Sequence, residues 1–200
     1  MRQFPALSLV ALMLAILFAT GCASSSTVPE FHRVNAVSMF GDSWGLHKTQ
    51  GWAKRDRIHV GVDYREPEGA PVLAAAGGIV HHFTNDTCGL SIKITHDSIG
   101  RSFQYPNRPQ TVYCHLQEYA VQDGARVERG AVIGKVGLTG TSGGVSHLHL
   151  EYWEKSPHLG VGNVLPDGAL DPHSVMAGCF EPGREYPKDR LVLTYPVRCR

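Results

Sequence analysis

Ser146-His147-Leu148-His149-Leu150-Glu151-Tyr152 alternates polar and apolar side chains without a break. A period of two marks a strand, because successive side chains leave a strand on opposite faces. His147, His149 and Glu151 therefore share one face, and Leu148, Leu150 and Tyr152 the other. The apolar face calls for a core beneath it. The opposite face presents imidazole and carboxylate on a rigid element. Residues i and i+2 lie about 6–7 Å apart along a strand. That spacing suits one metal ligand beside one catalytic group better than two ligands.

The chain keeps this style on both sides of the strand. Short stretches rich in Val, Ile, Leu and Tyr stand at Val37–Phe40, His59–Tyr64, Pro71–Ala75, Gly78–Phe83, Leu90–His96, Gln110–His115, Val132–Val136 and His147–Trp153. Turns built from the chain's 22 glycines and 12 prolines separate them. Only Leu116–Gln122 and Pro172–Ala177 read as briefly helical. The pattern predicts a mainly β fold, an antiparallel β-sheet or sandwich-like arrangement with few short helices. At 200 residues it forms one domain with tails. Lys and Arg number 19 against 18 Asp and Glu. This balance excludes a nucleic-acid binder driven by bulk positive charge, and a disordered charged tail.

Two more segments concentrate chemistry among the 11 histidines. In Arg57-Ile58-His59-Val60-Gly61-Val62-Asp63-Tyr64, His59 and Asp63 stand four apart on one strand face, and Gly61 allows a kink that lets them converge. Val112-Tyr113-Cys114-His115-Leu116 supplies another histidine. Each segment is weak alone; in this order they are specific. They resemble the lysostaphin-type zinc metallopeptidases, a peptidoglycan endopeptidase family, in which H-x-x-x-D is followed by H-L and then by H-x-H after a Gly-rich turn. Phe40-Gly41, Gly69-Ala70-Pro71-Val72, Ala76-Gly77-Gly78-Ile79-Val80, Val132 to Gly140 and Leu170-Asp171-Pro172 agree as flanks. The resemblance covers about residues 37–177.

By that resemblance one zinc ion is held by His59, Asp63 and His149, while His115 and His147 flank the reactive water without ligating the metal. Two neutral imidazoles and one carboxylate leave zinc a net positive charge and an open fourth position. The chain has no H-E-x-x-H, so no glutamate base of that type is present. A histidine serves instead, since its ordinary pKa is about 6.5. His147 is the expected general base and His115 the group that stabilises the oxyanion, with the two roles open to exchange. Glu151 reads as a solvated surface carboxylate in preference to a partner of His149. His96 reads as structural. His32, His47, His81, His82, His158 and His173 read as structural or surface residues.

Five cysteines are an odd number. Arg2 precedes an apolar run from Phe4 to Ala19, shorter than the roughly 20 residues a membrane helix needs. It reads as a secretory signal over residues 1–21. Ala19-Thr20-Gly21-Cys22 resembles the lipobox of bacterial lipoproteins, with Ala19 where Leu is usual. That implies lipidation of Cys22 and a small, polar, flexible tether over 22–36. The peptidase domain then spans 37–178 and an irregular tail 179–200. Cys88, Cys114, Cys179 and Cys199 remain, enough for two disulfides in three possible pairings. A hairpin of Leu90–His96 with Gln110–His115, set with Ile92 opposite Val112, brings Cys88 beside Cys114. Cys179–Cys199 would then staple the tail.

The expected protein is a zinc-dependent endopeptidase that hydrolyses peptide crosslinks of bacterial peptidoglycan. It would sit lipid-anchored on the periplasmic face of the outer membrane, since Ala23 rather than Asp follows Cys22. Its partners would be peptidoglycan peptide stems, with the membrane reached only through the anchor, no nucleic acid, and a monomeric state. The alternative is a non-catalytic envelope lipoprotein that binds peptidoglycan or activates another wall hydrolase; the filled key positions speak against it. The segment between His96 and Gln110, and Ser43–Arg57 with Trp44 and Trp52, are candidate walls of a substrate groove.

Overall fold

A computed structural model describes residues 33–47, 51–55, 58–97, 108–154 and 168–200, with the backbone alone for 44–47 and 51–53. The leader 1–21, Cys22, the tether up to residue 32 and most of the segment between His96 and Gln110 lie outside the described residues, as do the side chains of Trp44 and Trp52.

The strands are β1 (Ala36–Ser38), β2 (Trp44–His47), β3 (Gly51–Lys54), β4 (Gly61–Tyr64), β5 (Pro71–Leu73), β6 (Gly78–Asn85), β7 (Gly89–His96), β8 (Gln110–Tyr119), β9 (Arg126–Val127), β10 (Val132–Val136), β11 (Leu148–Trp153) and β12 (Ala169–Leu170). Ten of them form one antiparallel sheet in the order β1-β4-β11-β8-β7-β6-β9, with β10 joining β5 to β8 and β12 edging β11. β2 and β3 make a separate hairpin within Ser43–Arg57. β11, which carries His149 and Glu151, is central, flanked by β4 and β8. Leu148 and Leu150 are fully buried, as their alternation requires.

Leu116–Gln122 is not helical. β8 runs on to Tyr119, because Leu116 is fully buried and its neighbours pair with β10. Pro172–Val175 makes a single 3-10 turn capped by Asp171. The hairpin register also differs from expectation: Ile92 faces Tyr113, and Val112 faces Lys93. Beyond them Leu90 faces Leu116, so β8 spends one extra residue at Cys114–His115. That is a β-bulge, and it shifts the pairing. Cys88–Cys114 and Cys179–Cys199 are both disulfides, with Cα separations of 4.7 and 6.1 Å.

Both chain ends contribute to the core. Val34, inside the stretch read as tether, is buried. The tail has no strands, as its prolines suggest, yet Leu193, Tyr195 and Val197 lie in the main core with Val62, Tyr64, Ile92 and Leu150. Its backbone is tied to that core through Leu73 N–H to the Pro196 carbonyl and Thr194 N–H to the Ala75 carbonyl.

His96 is structural. It is fully buried, donates from Nδ1 to the Gly77 carbonyl and meets Thr111 Oγ1 at Nε2, both at 2.9 Å. Burial pushes its pKa down to about 4. An unfolded chain takes up that proton near pH 6.5, so the unfolded state binds more protons in the interval between. The stability due to neutral His96 is full above pH 6.5 and is lost as the pH falls towards 4. Urea unfolding at pH 7.5 and 4.5 should show wild type losing about 3 kcal/mol more than His96→Gln over that interval.

Candidate metal centre

Three adjacent strands bring the chemistry to one face. β11 pairs His149 with Asp63 of β4 on one side and with Cys114 of β8 on the other. His59 lies just before β4, where its N–H donates to the Asp42 carbonyl and its own carbonyl accepts from Gly41. Gly61 serves close approach. A Cβ there would collide with the Leu150 carbonyl and come within 2.8 Å of the His149 ring. Its absence lets β4 lie against His149.

His59, Asp63 and His149 present ligand atoms to one another and are all buried. His59 Nε2 is 3.0 Å from Asp63 Oδ1 and 2.9 Å from His149 Nδ1, and His149 Nδ1 is 2.9 Å from Asp63 Oδ1. The opposite edge of each ring settles what these atoms are. His59 Nδ1 lies 2.8 Å from the Met39 carbonyl, which only accepts, so Nδ1 carries the hydrogen. His149 Nε2 lies 3.2 Å from Glu151 Oε1 and donates to it. In the neutral rings the remaining nitrogens, His59 Nε2 and His149 Nδ1, are lone pairs. Two lone pairs and a carboxylate oxygen at van der Waals distance repel unless a cation sits among them. The residues present therefore fit a metal ion, with two nitrogen donors and one oxygen donor.

Without a metal, a proton meets the same need. Burial works to lower His149, but Asp63 and Glu151 outweigh it and push the ring up to about 9. Burial works to raise Asp63, but hydrogen bonds to His149 and His59 hold it well below the usual carboxylate range.

Glu151 is not a solvated surface carboxylate. It is half-buried, and Oε2 accepts from Trp153 Nε1 at 2.7 Å while Oε1 holds His149. Such partners fix the tautomer of a ligand imidazole, and losing one typically costs about 10- to 100-fold in metal affinity. Glu151→Ala should show a loss of that size in competition titration with a chromogenic chelator, with Asp63 and His59 still able to bind.

Arg55 escapes the sequence reading. Its guanidinium donates to Asp63 Oδ2 at 2.6 Å and to Ser38 Oγ at 3.1 Å. This pins the far oxygen of Asp63 and leaves Oδ1 for the cluster. Nothing in the local sequence marks Arg55, since the β2–β3 hairpin delivers it.

His115 and His147 stand beside the ligands, their ring centroids 4.7 Å apart. Each has Nδ1 tied to a carbonyl, His115 to Thr139 at 2.8 Å and His147 to Val145 at 2.7 Å. Each neutral ring therefore keeps a lone pair at Nε2. His147 Nε2 is 3.7 Å from Asp63 Oδ1. Burial, then His147 and His149, lower His115 to about 3; burial also lowers His147. His115 adopts φ 62°, a left-handed conformation costing a non-glycine residue about 1–3 kcal/mol. The remaining described histidines with side chains stay outside the centre: His81 is exposed, His82 stacks on Tyr119, and His173 packs on Tyr64 and Tyr195.

Two histidines and an aspartate thus converge on one point where they could share a cation, with the neutral imidazoles of His115 and His147 beside them. The chain belongs to peptidase family M23, whose model matches residues 57–160. Among curated proteins it is similar to the DD-carboxypeptidase/endopeptidase Mpg of Neisseria meningitidis serogroup B, 38% identical over 48% of this chain and 20% of that protein. It is also similar to the peptidoglycan DD-endopeptidase ShyC of Vibrio cholerae, 36% identical over 56% of this chain and 23% of that protein. The matched part thus spans about a fifth of these relatives' length. The catalytic domain of lysostaphin from Staphylococcus simulans superposes with a TM-score of 0.51 and 25% identity, over 70% of this chain and 90% of that domain.

Proposed function

We propose that the chain is a zinc-dependent endopeptidase that hydrolyses peptide crosslinks of bacterial peptidoglycan. The observation that carries this reading is the convergence of two tautomer-fixed lone pairs and one carboxylate oxygen beside two further basic nitrogens. His59, Asp63 and His149 would hold the zinc. Zinc so held acidifies water and polarises a carbonyl as a Lewis acid.

The chain's own residues supply the proton handling. His147 accepts the proton of the attacking water at Nε2, and the nearby Asp63 carboxylate favours the resulting imidazolium. His115 is the poorer base, being held lower by burial and by His147. With Nδ1 committed to Thr139, it donates from Nε2 only once it gains a proton there. Negative charge developing on the substrate carbonyl oxygen favours that protonation, with the proton drawn from solvent, which is how His115 would stabilise the oxyanion. The DD-endopeptidase activity in the names of Mpg and ShyC favours a bond between D-configured residues over a glycine bridge, and the expected outer-membrane setting favours a D-alanyl–diaminopimelate crosslink. Lipidation at Cys22 on the periplasmic face of the outer membrane would hold the domain against its polymer and raise its effective concentration there.

The test uses the full chain in detergent, incubated with purified sacculi, with and without chelator. Zinc analysis near one equivalent and chelator-sensitive release of uncrosslinked muropeptides are expected. A zinc-free protein that binds sacculi without turnover would establish the non-catalytic alternative instead. Cys22→Ser should leave turnover intact while moving the protein from the membrane to the soluble fraction.

A further inference from the structure

Among the described residues His115 is the only non-glycine at positive φ. Something must hold it there. Its N–H donates to the Cys88 carbonyl at 2.7 Å, and its Nδ1 donates to the Thr139 carbonyl. Cys88 is fixed in turn, its N–H on Asn85 Oδ1 at 2.7 Å. Thr139 Oγ1 spans the bulge, accepting from Leu90 N–H at 2.9 Å and donating to the Leu116 carbonyl at 2.7 Å. Gly89 packs so closely on Thr139 that a Cβ would collide with it. The covalent closure of this knot is the disulfide from Cys88 to Cys114, the residue directly before His115.

The metal ligands' own hydrogen bonds lie off the bulge, although Cys114 is the cross-strand neighbour of His149 and Glu151 lies within 4.8 Å of both cysteine sulfurs. His59 rests on Met39, Asp63 on Arg55, and His149 on Glu151. The second disulfide, Cys179–Cys199, closes the tail against the main core.

We propose that the Cys88–Cys114 disulfide is a positioning element for His115, so that turnover follows its oxidation state while metal binding does not. This rests on the peptidase reading above. Reduction by a small dithiol delivers two electrons and two protons, giving two thiols as the dithiol closes its own disulfide. Freed from Cys114, Cys88 no longer fixes the carbonyl that holds the His115 N–H, and the bulge relaxes from positive φ. The Nε2 lone pair then leaves the reacting position, where a displacement of about 1 Å can cost 100-fold.

The experiment uses the full chain with Cys179→Ser and Cys199→Ser, leaving one bridge to reduce. That background should melt at a lower temperature but keep kcat and zinc. Dithiothreitol should then lower kcat by about 10- to 100-fold, with KM and zinc content unchanged and recovery on reoxidation by oxidised glutathione. Cys88→Ser with Cys114→Ser should match the reduced protein without reductant. The His115 Nδ1–H resonance reports the same geometry with no substrate, and should broaden on reduction while those of His59 and His149 persist. Two titratable thiols with kcat and the His115 resonance unchanged would overturn the proposal. So would zinc lost in step with activity. If the oxidised protein cleaves no peptidoglycan, the peptidase reading falls, and the resonance still decides for or against the disulfide's role.

Discussion

A chain carrying His149→Ala is expected to fold, to hold almost no zinc under conditions where wild type holds one equivalent, and to lose about 1,000-fold or more in peptidoglycan hydrolysis. His149 lies on a central strand, with Asp63 and Cys114 as its cross-strand neighbours. Its removal leaves one imidazole and one carboxylate, too few for the three protein donors of an open zinc site. The folded state survives because Leu148 and Leu150, on the other face, carry the packing of β11. Proton counting gives an independent reading. In the metal-free wild type Asp63 and Glu151 outweigh burial and push His149 up to about 9, so the ring holds a proton at pH 7 that it must lose to become a ligand. Calorimetry in two buffers of different ionisation enthalpy should show about one proton released per zinc bound by wild type. The site reading fails if His149→Ala binds zinc at wild-type strength, or if wild type binds with no proton released.

The part of this site legible in the sequence is the part written in strand periodicity. Alternation through Leu148-His149-Leu150-Glu151 assigns faces, and burial of the leucines follows from it. Glu151 shows where periodicity stops. The face was readable, but Trp153 two residues on, which turns Glu151 away from solvent, is recognised only once both indole and imidazole are seen on the carboxylate. Arg55 is a stronger case, since it reaches Asp63 through the path of a hairpin that no local pattern predicts. The bulge at Cys114–His115 contains no glycine, so nothing in the chain announces a positive φ; tertiary bonds to Cys88 and Thr139 impose it. The same bulge adds one residue to the register between the Ile92–Tyr113 and Leu90–Leu116 pairs. In the tail, Leu191-Val192-Leu193-Thr194-Tyr195 is as apolar as any strand. Its neighbouring prolines rule out a strand without ruling out burial, so its place in the core was invisible to a reading built on regular elements.

Of the two remaining histidines, His147 should be the costlier to lose. His147→Ala and His115→Ala are each expected to retain zinc and to lower kcat by about 100- to 10,000-fold, the range of positioned acid–base groups. The asymmetry follows from what stands behind each ring. A base must carry positive charge after the transfer. Burial opposes that charge at both rings, but after burial the leading influence on His147 is the favourable Asp63 carboxylate, 3.7 Å from Nε2, whereas on His115 it is the opposing His147 and His149. The variants should also differ in rescue. A small imidazole supplied in solution can replace a lost base, and the His147 side chain is 12% exposed, so its vacated position is reachable. Added imidazole should restore part of the His147→Ala rate with a dependence on the neutral form. It should do little for His115→Ala, whose loss also removes the hydrogen bond to Thr139. The double variant should fall well short of the product of the two single losses, because both act on one transition state. Imidazole rescue of His115→Ala with none for His147→Ala would exchange the two roles. Additive losses would mean that the two rings do not serve the same step.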